Sequence, residues 1–246
     1  MAISLPVVNA PNLYVDGLEL SWASATTLTV ADGRARNSTN QNDIILDAAV
    51  TINGAVSGAI NGLDQGALAN NTFYAVYIVG DSYGNNDTGA MISTDTDSPL
   101  LPGGYDMSRR IGWVLTDGSA EFLLFWQYGN DKERQYYYDV GISELSSGSS
   151  ATFAAVDLAA SVPPIATEVL FDVAYTPNGA TDVAEFLPFG SSATNGIVRF
   201  GYGVAAAQVG IASVPCRLDA GVPKIQYKVT AGDTLTLLTI GYKDYL

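Results

Sequence analysis

The sequence predicts an all-β protein built from two antiparallel β-sandwich modules of jelly-roll type, with little or no helix. Asn-Gly and Asp-Gly pairs recur along the chain, and such pairs tolerate the positive φ angles of tight turns between strands. Short runs rich in β-branched and aromatic residues lie between the pairs, and no window shows a capped helical stripe. The turn pairs begin at Asp32, Asn53, Asn61, Asp117, Asn178 and Asn195.

The first half of the chain predicts strands at residues 18–30, 44–52, 72–79, 109–115, 121–128 and 135–140. Within 72–79, Phe73, Ala75 and Tyr77 share one face of a strand, while Val76 and Ile78 lie on the other. Because both faces are apolar, this strand is predicted to lie inside a sheet. The glycine-rich residues 54–66 leave room for at most one helical turn.

The second half predicts strands at residues 151–158, 167–175, 183–187, 196–203, 209–214, 224–230 and 234–242. A series of this size is typical of one β-sandwich. The serine-rich sequence SELSSGSS at 143–150 separates the two series and has the composition of a linker. We therefore predict an N-terminal β domain at 1–142, a linker at 143–150 and a C-terminal β-sandwich at 151–246.

The composition excludes several classes of protein. The 246 residues include no histidine, which excludes Ser-His-Asp hydrolases, Cys-His nucleophiles and histidine-ligated zinc or haem iron. Cys216 is the single cysteine, so no internal disulfide forms, and we expect a reduced thiol that packs as a small hydrophobe. The 25 acidic and 11 basic side chains give a net charge of −14, which argues against binding nucleic acid through its phosphates.

No sequence motif indicates an enzyme or a cofactor. Residues 201–203 lack the third glycine of a dinucleotide-binding fingerprint, and no GxxxxGK[ST] sequence occurs. The carboxylates do not stand in a distinctive glycosidase motif. The sequence therefore predicts a protein without enzymatic activity and without a cofactor.

The N-terminal residues 1–10 lack the basic start and long apolar run of a signal peptide. No segment approaches the roughly 20 apolar residues that span a bilayer. We therefore expect a protein that is made in a cytoplasm, without export, and that does not enter a membrane.

Two acidic loops have some resemblance to cation sites. Asp81, Asn85 and Asp87 supply oxygen ligands of the kind that Ca²⁺ prefers, and Asp95 and Asp97 form a similar pair. An EF-hand also needs a Glu at its twelfth position, where this chain has an isoleucine. The sequence favours acidic surface turns over metal sites at both places.

A basic pair and several aromatic side chains are candidates for contacts between subunits: Arg109, Arg110, Trp113, Trp126, Tyr136, Tyr137 and Tyr138. The two arginines either pair with nearby acids, such as Asp106 or Asp117, or form salt bridges between subunits, since Arg suits bidentate pairing. The aromatic side chains either anchor a core or an interface or stack on sugars.

Four spaced segments of the first half carry a resemblance to a known class: GLDQG at 62–66, NTFYAVYIV at 71–79, LPGGY at 101–105 and RRIGWVLTD at 109–117. In this order they resemble a module in virion structural proteins of tailed bacteriophages, of fibre, appendage or decoration type, over about residues 10–140. The second half is similar in style to phage β-sandwich modules, in VPP at 162–164, residues 166–173, KIQYK at 224–228 and IGY at 240–242.

The resemblance implies a non-enzymatic virion structural protein, a tail fibre or appendage subunit that works by protein–protein assembly. It brings no catalytic residues with it. The implied partners are copies of itself, as a homotrimer by analogy with fibre modules, and other virion proteins. The implied location is the virion, after synthesis in the cytoplasm of the host bacterium.

Three alternatives remain open at this point. The first is a capsid decoration or head fibre protein, which shares the chemistry of assembly. The second is a carbohydrate-binding module that contacts host surface glycan through exposed aromatics such as Trp22, Trp113 or Trp126. The third is a hydrolase that acts on cell-surface glycan.

Overall fold

The structure is a computed structural model that describes residues 14–129, 132–201 and 206–246. Within these ranges the chain is all-β and contains no helix, so the predicted fold class is confirmed. The N-terminal residues 1–10 and the end of the strand predicted at 196–203 lie outside the described residues. No helix in the described part of the chain is long and apolar enough to cross a bilayer.

The strands of the first part, in chain order, are β1 (Val15–Gly17), β2 (Leu20–Ser24), β3 (Thr27–Val30), β4 (Gly33–Arg36), β5 (Asp43–Leu46), β6 (Val50–Ser57), β7 (Gly62–Leu63), β8 (Phe73–Gly80), β9 (Gly89–Ser93) and β10 (Met107–Leu115). Those that follow are β11 (Phe125–Gly129), β12 (Glu133–Gly148), β13 (Ala154–Asp157), β14 (Glu168–Thr176), β15 (Ala184–Pro188), β16 (Val198–Phe200), β17 (Gln208–Pro215), β18 (Arg217–Asp219), β19 (Val222–Val229) and β20 (Thr234–Tyr245).

The strands form four sheets. We call the seven-stranded sheet and the five-stranded sheet that contains the two longest strands, β12 and β20, the large sheets, and the other two the smaller sheets. The seven-stranded sheet has the order β10-β8-β9-β7-β6-β3-β2, and one five-stranded sheet has the order β11-β12-β20-β14-β17. A three-stranded sheet has the order β1-β4-β5, and the fourth sheet has the order β13-β19-β15-β16 with β18 beside β19. Pairing is antiparallel apart from β7, which lies parallel to both β6 and β9.

β8 is buried on both faces, as its two apolar alternations predict. Every residue from Tyr74 to Gly80 is buried, and only Phe73 is partly exposed. β8 lies between β9 and β10, so its backbone is paired on both sides. Buried side chains from all parts of the chain, such as Val76, Trp113, Phe171 and Phe186, belong to one hydrophobic core.

The serine-rich segment predicted as a linker at 143–150 is mostly strand. Ser143 to Gly148 continue β12, which pairs with β20 through three register shifts. Ile142 and Leu145 pack against the core, so inward apolar residues hold the segment in the sheet while its serines face outward. As a result, one sheet combines β11 and β12, from residues 1–142 and the segment, with β14, β17 and β20 from residues 151–246.

Other differences from the predicted strands have local causes. The strand predicted at 18–30 is the hairpin of β2 and β3, and the pair Asn53-Gly54 lies inside β6 rather than in a turn. At Gly54 a Cβ atom would meet the side chain of Leu68 at 2.7 Å, so glycine is present there for close packing. The short strands β1, β4, β7, β9 and β18 were not predicted.

Candidate assembly surface

The five-stranded sheet β11-β12-β20-β14-β17 buries one face and exposes much of the other, although Leu170 on the outward side of β14 is buried. In β14, Phe171, Val173 and Tyr175 are buried, whereas Asp172 and Ala174, which point to the opposite side, are exposed. We call the exposed side the open face. It is formed by the outward side chains Trp126, Tyr128, Tyr137, Asp172, Ala174, Val209, Ile211 and Leu238.

The end of the open face at β14 and β17 is aliphatic. Ala174 lies directly opposite Val209, and Asp172 lies opposite Ile211 on one side and Leu238 on the other. Val209 is 80% exposed and Ile211 is 68% exposed, which are high values for large aliphatic residues in regular strand. Asp172 is the one charge in this group. Contiguous exposed apolar side chains of this kind mark interaction surfaces.

The end of the open face at β11 and β12 is aromatic. Trp126 lies opposite Tyr137, and both point outward. Tyr128 and Tyr137 form an edge-to-face pair with ring centroids 5.9 Å apart. Tyr128 is 59% exposed and Trp126 is 44% exposed. Trp and Tyr are the residues most enriched at energetically important positions of interfaces.

The predicted site residues divide between the interior and the open face. Trp113, Tyr136 and Tyr138 are buried, so these rings form part of the core. Tyr136 stacks on Tyr242 with centroids 4.6 Å apart, and the Tyr138 hydroxyl donates to the carbonyl of Ser161 at 2.8 Å. Trp126 and Tyr137, by contrast, lie on the open face.

Arg110 joins the two large sheets through an ion pair. Its Nη1 donates to the Oδ2 of Asp244 at 2.9 Å, and its guanidinium lies 5.4 Å from the centroid of Trp113. The sequence suggested Asp106 or Asp117 as local partners, but the partner is far away in the chain. Asp244 is fully buried, and burial raises the pKa of its carboxyl although the Arg110 guanidinium favours the charged form. Arg109 is partly buried on the same strand.

Arg134 is a buried cation, and it was not among the predicted site residues. Its Nη1 donates to the carbonyl of Leu18 at 2.7 Å and to that of Ile111 at 3.2 Å. The same atom lies 3.2 Å from Oε1 of Gln127, which also accepts from the amide of Leu20 at 2.8 Å. This network ties β11 and β12 to the segments around β1, β2 and β10.

A groove opens where β2 approaches β11. A hollow of about 220 Å³ is lined by Trp22, Trp126 and Tyr128, among other residues of these strands. Trp22 donates its indole N–H to the carbonyl of Phe122 at 2.9 Å, which fixes its ring. A second hollow of about 260 Å³ shares Tyr128 and has Glu19 at its wall. Trp113, the third indole, is 1% exposed and takes no part in this groove.

The hollow with the largest volume among those described, about 450 Å³, lies beside β15 and β16 and is lined by Glu185 and Arg199 among others. Glu185 is the single carboxylate in that lining. Its carboxylate lies 3.2 Å from Nζ of Lys228 and 3.9 Å from Nε of Arg199. Burial alone would raise the pKa of Glu185, but the Gly196 amide and the Lys228 ammonium together lower it. The arrangement is that of a paired structural carboxylate.

The acidic loops are stabilised by their own backbone. The Asp81 carboxylate accepts hydrogen bonds from the amides of Tyr83, Asn85 and Asn86, and these bonds lower its pKa. Asp95 accepts from two amides of its own loop in the same way. No group of three or more Cys, Asp or Glu side chains in the described ranges is placed to hold a metal ion.

Cys216 follows β17 and is partly buried. Its Sγ donates to the carbonyl of Ala166 at 3.1 Å. Burial raises the pKa of the thiol to about 12, so the thiol stays protonated near neutral pH.

The aliphatic end of the open face was not found from the sequence. Residues 209–214 were predicted as a strand, but both alternations contain apolar side chains: Val209 and Ile211 on one side, Ala212 and Val214 on the other. Such a run predicts a strand covered on both faces. The structure places it at an edge instead, with Val209 and Ile211 exposed.

No protein-family model matches the chain, and no characterised protein has a matching sequence.

Proposed function

We propose that the protein is a non-enzymatic structural protein of a tailed-bacteriophage virion, a tail fibre or appendage subunit that works by binding copies of itself and neighbouring virion proteins. The observation that carries the proposal is the aliphatic end of the open face. Val209 and Ile211 form an exposed apolar surface on a sheet, with the partly buried Leu238 on the far side of Asp172, and a partner gains free energy by removing them from water.

The charge of the protein supports the same role. A net charge of −14 keeps free subunits apart in solution and disfavours contact with the phosphates of the packaged genome. The aliphatic end of the open face has few charges of its own, so it is the region where contact costs least in repulsion and desolvation. A capsid decoration protein would use the same surface, and the position in the particle distinguishes the two.

The test is to locate the protein in virions. Purified particles are labelled with antibodies against the protein and viewed by negative-stain electron microscopy. We expect label at a fixed position, on the tail for a fibre or appendage subunit and on the head for a decoration protein. Absence of the protein from particles purified to constant composition would overturn the proposal.

The groove between β2 and β11 favours a second candidate function, the binding of neutral glycan. Trp126 and Tyr128 project from alternate positions of one strand, so their rings lie on the same side, roughly 7 Å apart along the strand. Exposed aromatic rings can stack on the apolar faces of sugars, and the Glu19 carboxylate can accept hydrogen bonds from sugar hydroxyls. The acidic protein disfavours anionic glycans.

A glycan array followed by tryptophan fluorescence titration tests this candidate. Binding should be lost in Trp126→Ala and kept in Tyr83→Ala, which removes an exposed aromatic from a distant loop. An array without any neutral ligand, or equal loss in both variants, would exclude the groove as a glycan site while leaving the assembly proposal intact.

A further inference from the structure

Edge strands are the places where a sheet can accept another chain, because one side of an edge strand keeps unpaired N–H and C=O groups. Proteins protect such edges with charged residues, bulges or short length. Among the described residues, the edges of the two large sheets are β10, β2, β11 and β17. β10 has Arg109, Arg110 and a register shift, and β2 and β11 have five residues each.

The smaller sheets are protected in the same ways. Their outer strands β1, β5, β13, β16 and β18 are three or four residues long. β5 begins with Asp43, β13 ends with Asp157, and β16 contains Arg199 at its centre.

β17 lacks all of these protections. It is eight residues long, has the sequence QVGIASVP without a charged residue, and pairs with β14 without a register shift. Pro215 occupies its last position and leaves Val209–Val214 uninterrupted. Two of its outward side chains, Val209 and Ile211, are 80% and 68% exposed. Within the described part of the chain, β14 is its one ladder partner.

We propose that β17 is a self-association strand, which pairs antiparallel with β17 of a second copy of this chain about a two-fold axis perpendicular to the sheet. The inference rests on the proposed function, since it names the partner of the assembly surface. The two five-stranded sheets then become one continuous sheet, and the same residues contribute from both copies.

Strand geometry limits this pairing to a small number of possible registers. Directly opposite residues in an antiparallel pair point to the same face, so outward residues must meet outward residues. The two-fold axis therefore lies midway between one residue and the same residue of the second copy, so that this residue pairs with itself. Axes at Ile211 and at Ala212 give equally long overlaps within β17, but the axis at Ile211 keeps Pro215, which has no N–H to donate, out of the pairing. In this register Ile211 meets its own copy, and Val209 meets Ser213 on the outward face.

The net charge of the chain opposes self-association, and β17 is an edge at which that opposition is small. Each copy carries a net charge of −14, so two copies repel wherever their acidic surfaces meet. β17 has no charged residue, and the acids that pair with it in the ladder are Asp172, opposite Ile211, and Glu168, opposite Pro215. Glu168 is neutralised by Lys243 at 2.8 Å. The β17 edge is thus a long backbone edge that two copies can share with little repulsion.

Mass measurement tests the pairing. Sedimentation equilibrium or light scattering of the intact chain should give twice 25.8 kDa at high concentration. Ile211→Lys should weaken the dimer by at least about tenfold, because it places two lysines face to face on the outward side. The matched control is Ile45→Lys, which makes the same change at a residue 51% exposed on β5 and should leave the dimer intact.

Cysteine crosslinking tests the register. In a Cys216→Ala background, Ile211→Cys should form an interchain disulfide under mild oxidation, since opposite residues of an antiparallel pair have suitable Cα separations. Ile45→Cys is the control and should stay monomeric on a non-reducing gel.

The outcomes separate this inference from the proposed function. A monomer at all concentrations, a dimer unaffected by Ile211→Lys, or the three-fold mass implied by analogy with fibres would each overturn the β17 pairing. None of these would remove the protein from virions. A β17 dimer from a protein that is absent from purified particles would instead support the pairing and overturn the virion role.

Discussion

β8 and β14 are both interior strands of large sheets, but they differ in what covers them. β8 is buried on both faces from Tyr74 to Gly80, whereas β14 alternates between buried and exposed residues after Phe171. The β8 region therefore gains its stability from both sides within one copy. The sheet around β14 leaves much of one face exposed. The difference separates a region that is packed on both faces from one whose exposed face we propose for assembly.

The two large sheets meet through polar as well as apolar contacts. Arg110 from β10 reaches Asp244 in β20, and Tyr136 of β12 stacks on Tyr242 and places its hydroxyl beside Gly112. A Cβ atom at Gly112 would collide with the Tyr136 hydroxyl, so the absence of a side chain there allows the sheets to approach.

Loss of the Arg110 side chain should have the largest effect on stability. Arg110→Ala removes the ion-pair partner of the fully buried Asp244 and leaves Arg134, its neighbour in the ladder, as a remaining favourable charge; breaking a buried pair of this kind costs about 3–5 kcal/mol. The deficit should shrink as the pH falls, because burial raises the folded-state pKa of Asp244 and a protonated carboxyl needs no cation. Urea denaturation at several pH values measures both effects.

Arg34→Ala is the control for this prediction. Its ion pair with Asp16 joins side chains that are 57% and 54% exposed, so the expected change is at most about 1 kcal/mol. Equal losses for the two variants would show that the sheets are not held together at Arg110.

Neighbouring leucines in β20 test the two faces of the open sheet directly. Leu237 is fully buried, and Leu237→Ala should destabilise the protein by about 2–5 kcal/mol. Leu238 lies on the open face, so Leu238→Ala should cost roughly 1 kcal/mol or less in the monomer. Similar losses in denaturation experiments would mean that the open face is covered within a single copy.

Two valines in β8 provide the contrasting case. Val76 and Val79 point to opposite faces of the strand, and both are fully buried. Val76→Ala and Val79→Ala should therefore each cost about 2 kcal/mol. A large difference between the two free energies of unfolding would show that one face of β8 is less well packed than its burial indicates.

The smallest effect is expected from Ile211→Lys on the stability of the monomer. Ile211 is 68% exposed, and a surface substitution of this kind changes the free energy of unfolding by about 0.5 kcal/mol or less. The measurement is made at a protein concentration low enough to avoid dimers, since association would add its own stabilisation. A loss of several kcal/mol would place Ile211 in the interior and remove the assembly surface.

The sequence predicted the fold class because turn dipeptides and short apolar runs are local signals. The burial of β8 on both faces was predictable for the same reason, because the residues on each face of this strand are apolar in the sequence itself. The linker at 143–150 was predicted from composition alone. Ser143 to Gly148 are strand because Leu145 packs inward and β20 pairs with the segment, and both contacts involve residues distant in the chain.

The candidate site was less accessible to sequence reasoning. Tyr136, Tyr137 and Tyr138 are consecutive and chemically alike, but strand alternation buries the first and third and turns the second outward. These tyrosines differ only in which face of β12 they occupy, and the sequence does not show which face is turned towards the core. The exposed Val209 and Ile211 were hidden for a related reason, since an apolar run does not show whether it lies at an edge or in the middle of a sheet.

The position of β20 has a consequence for biosynthesis. β20 is the last described strand in chain order, but it lies between β12 and β14 and pairs with both. When a nascent chain has left the ribosome only as far as β19, two parts of that sheet are still separate. Backbone groups of β12 and β14 then lack the strand, β20, with which both of them pair. β20 must leave the ribosome before those two parts can close, so stalled or prematurely released chains expose unpaired edges of β12 and β14.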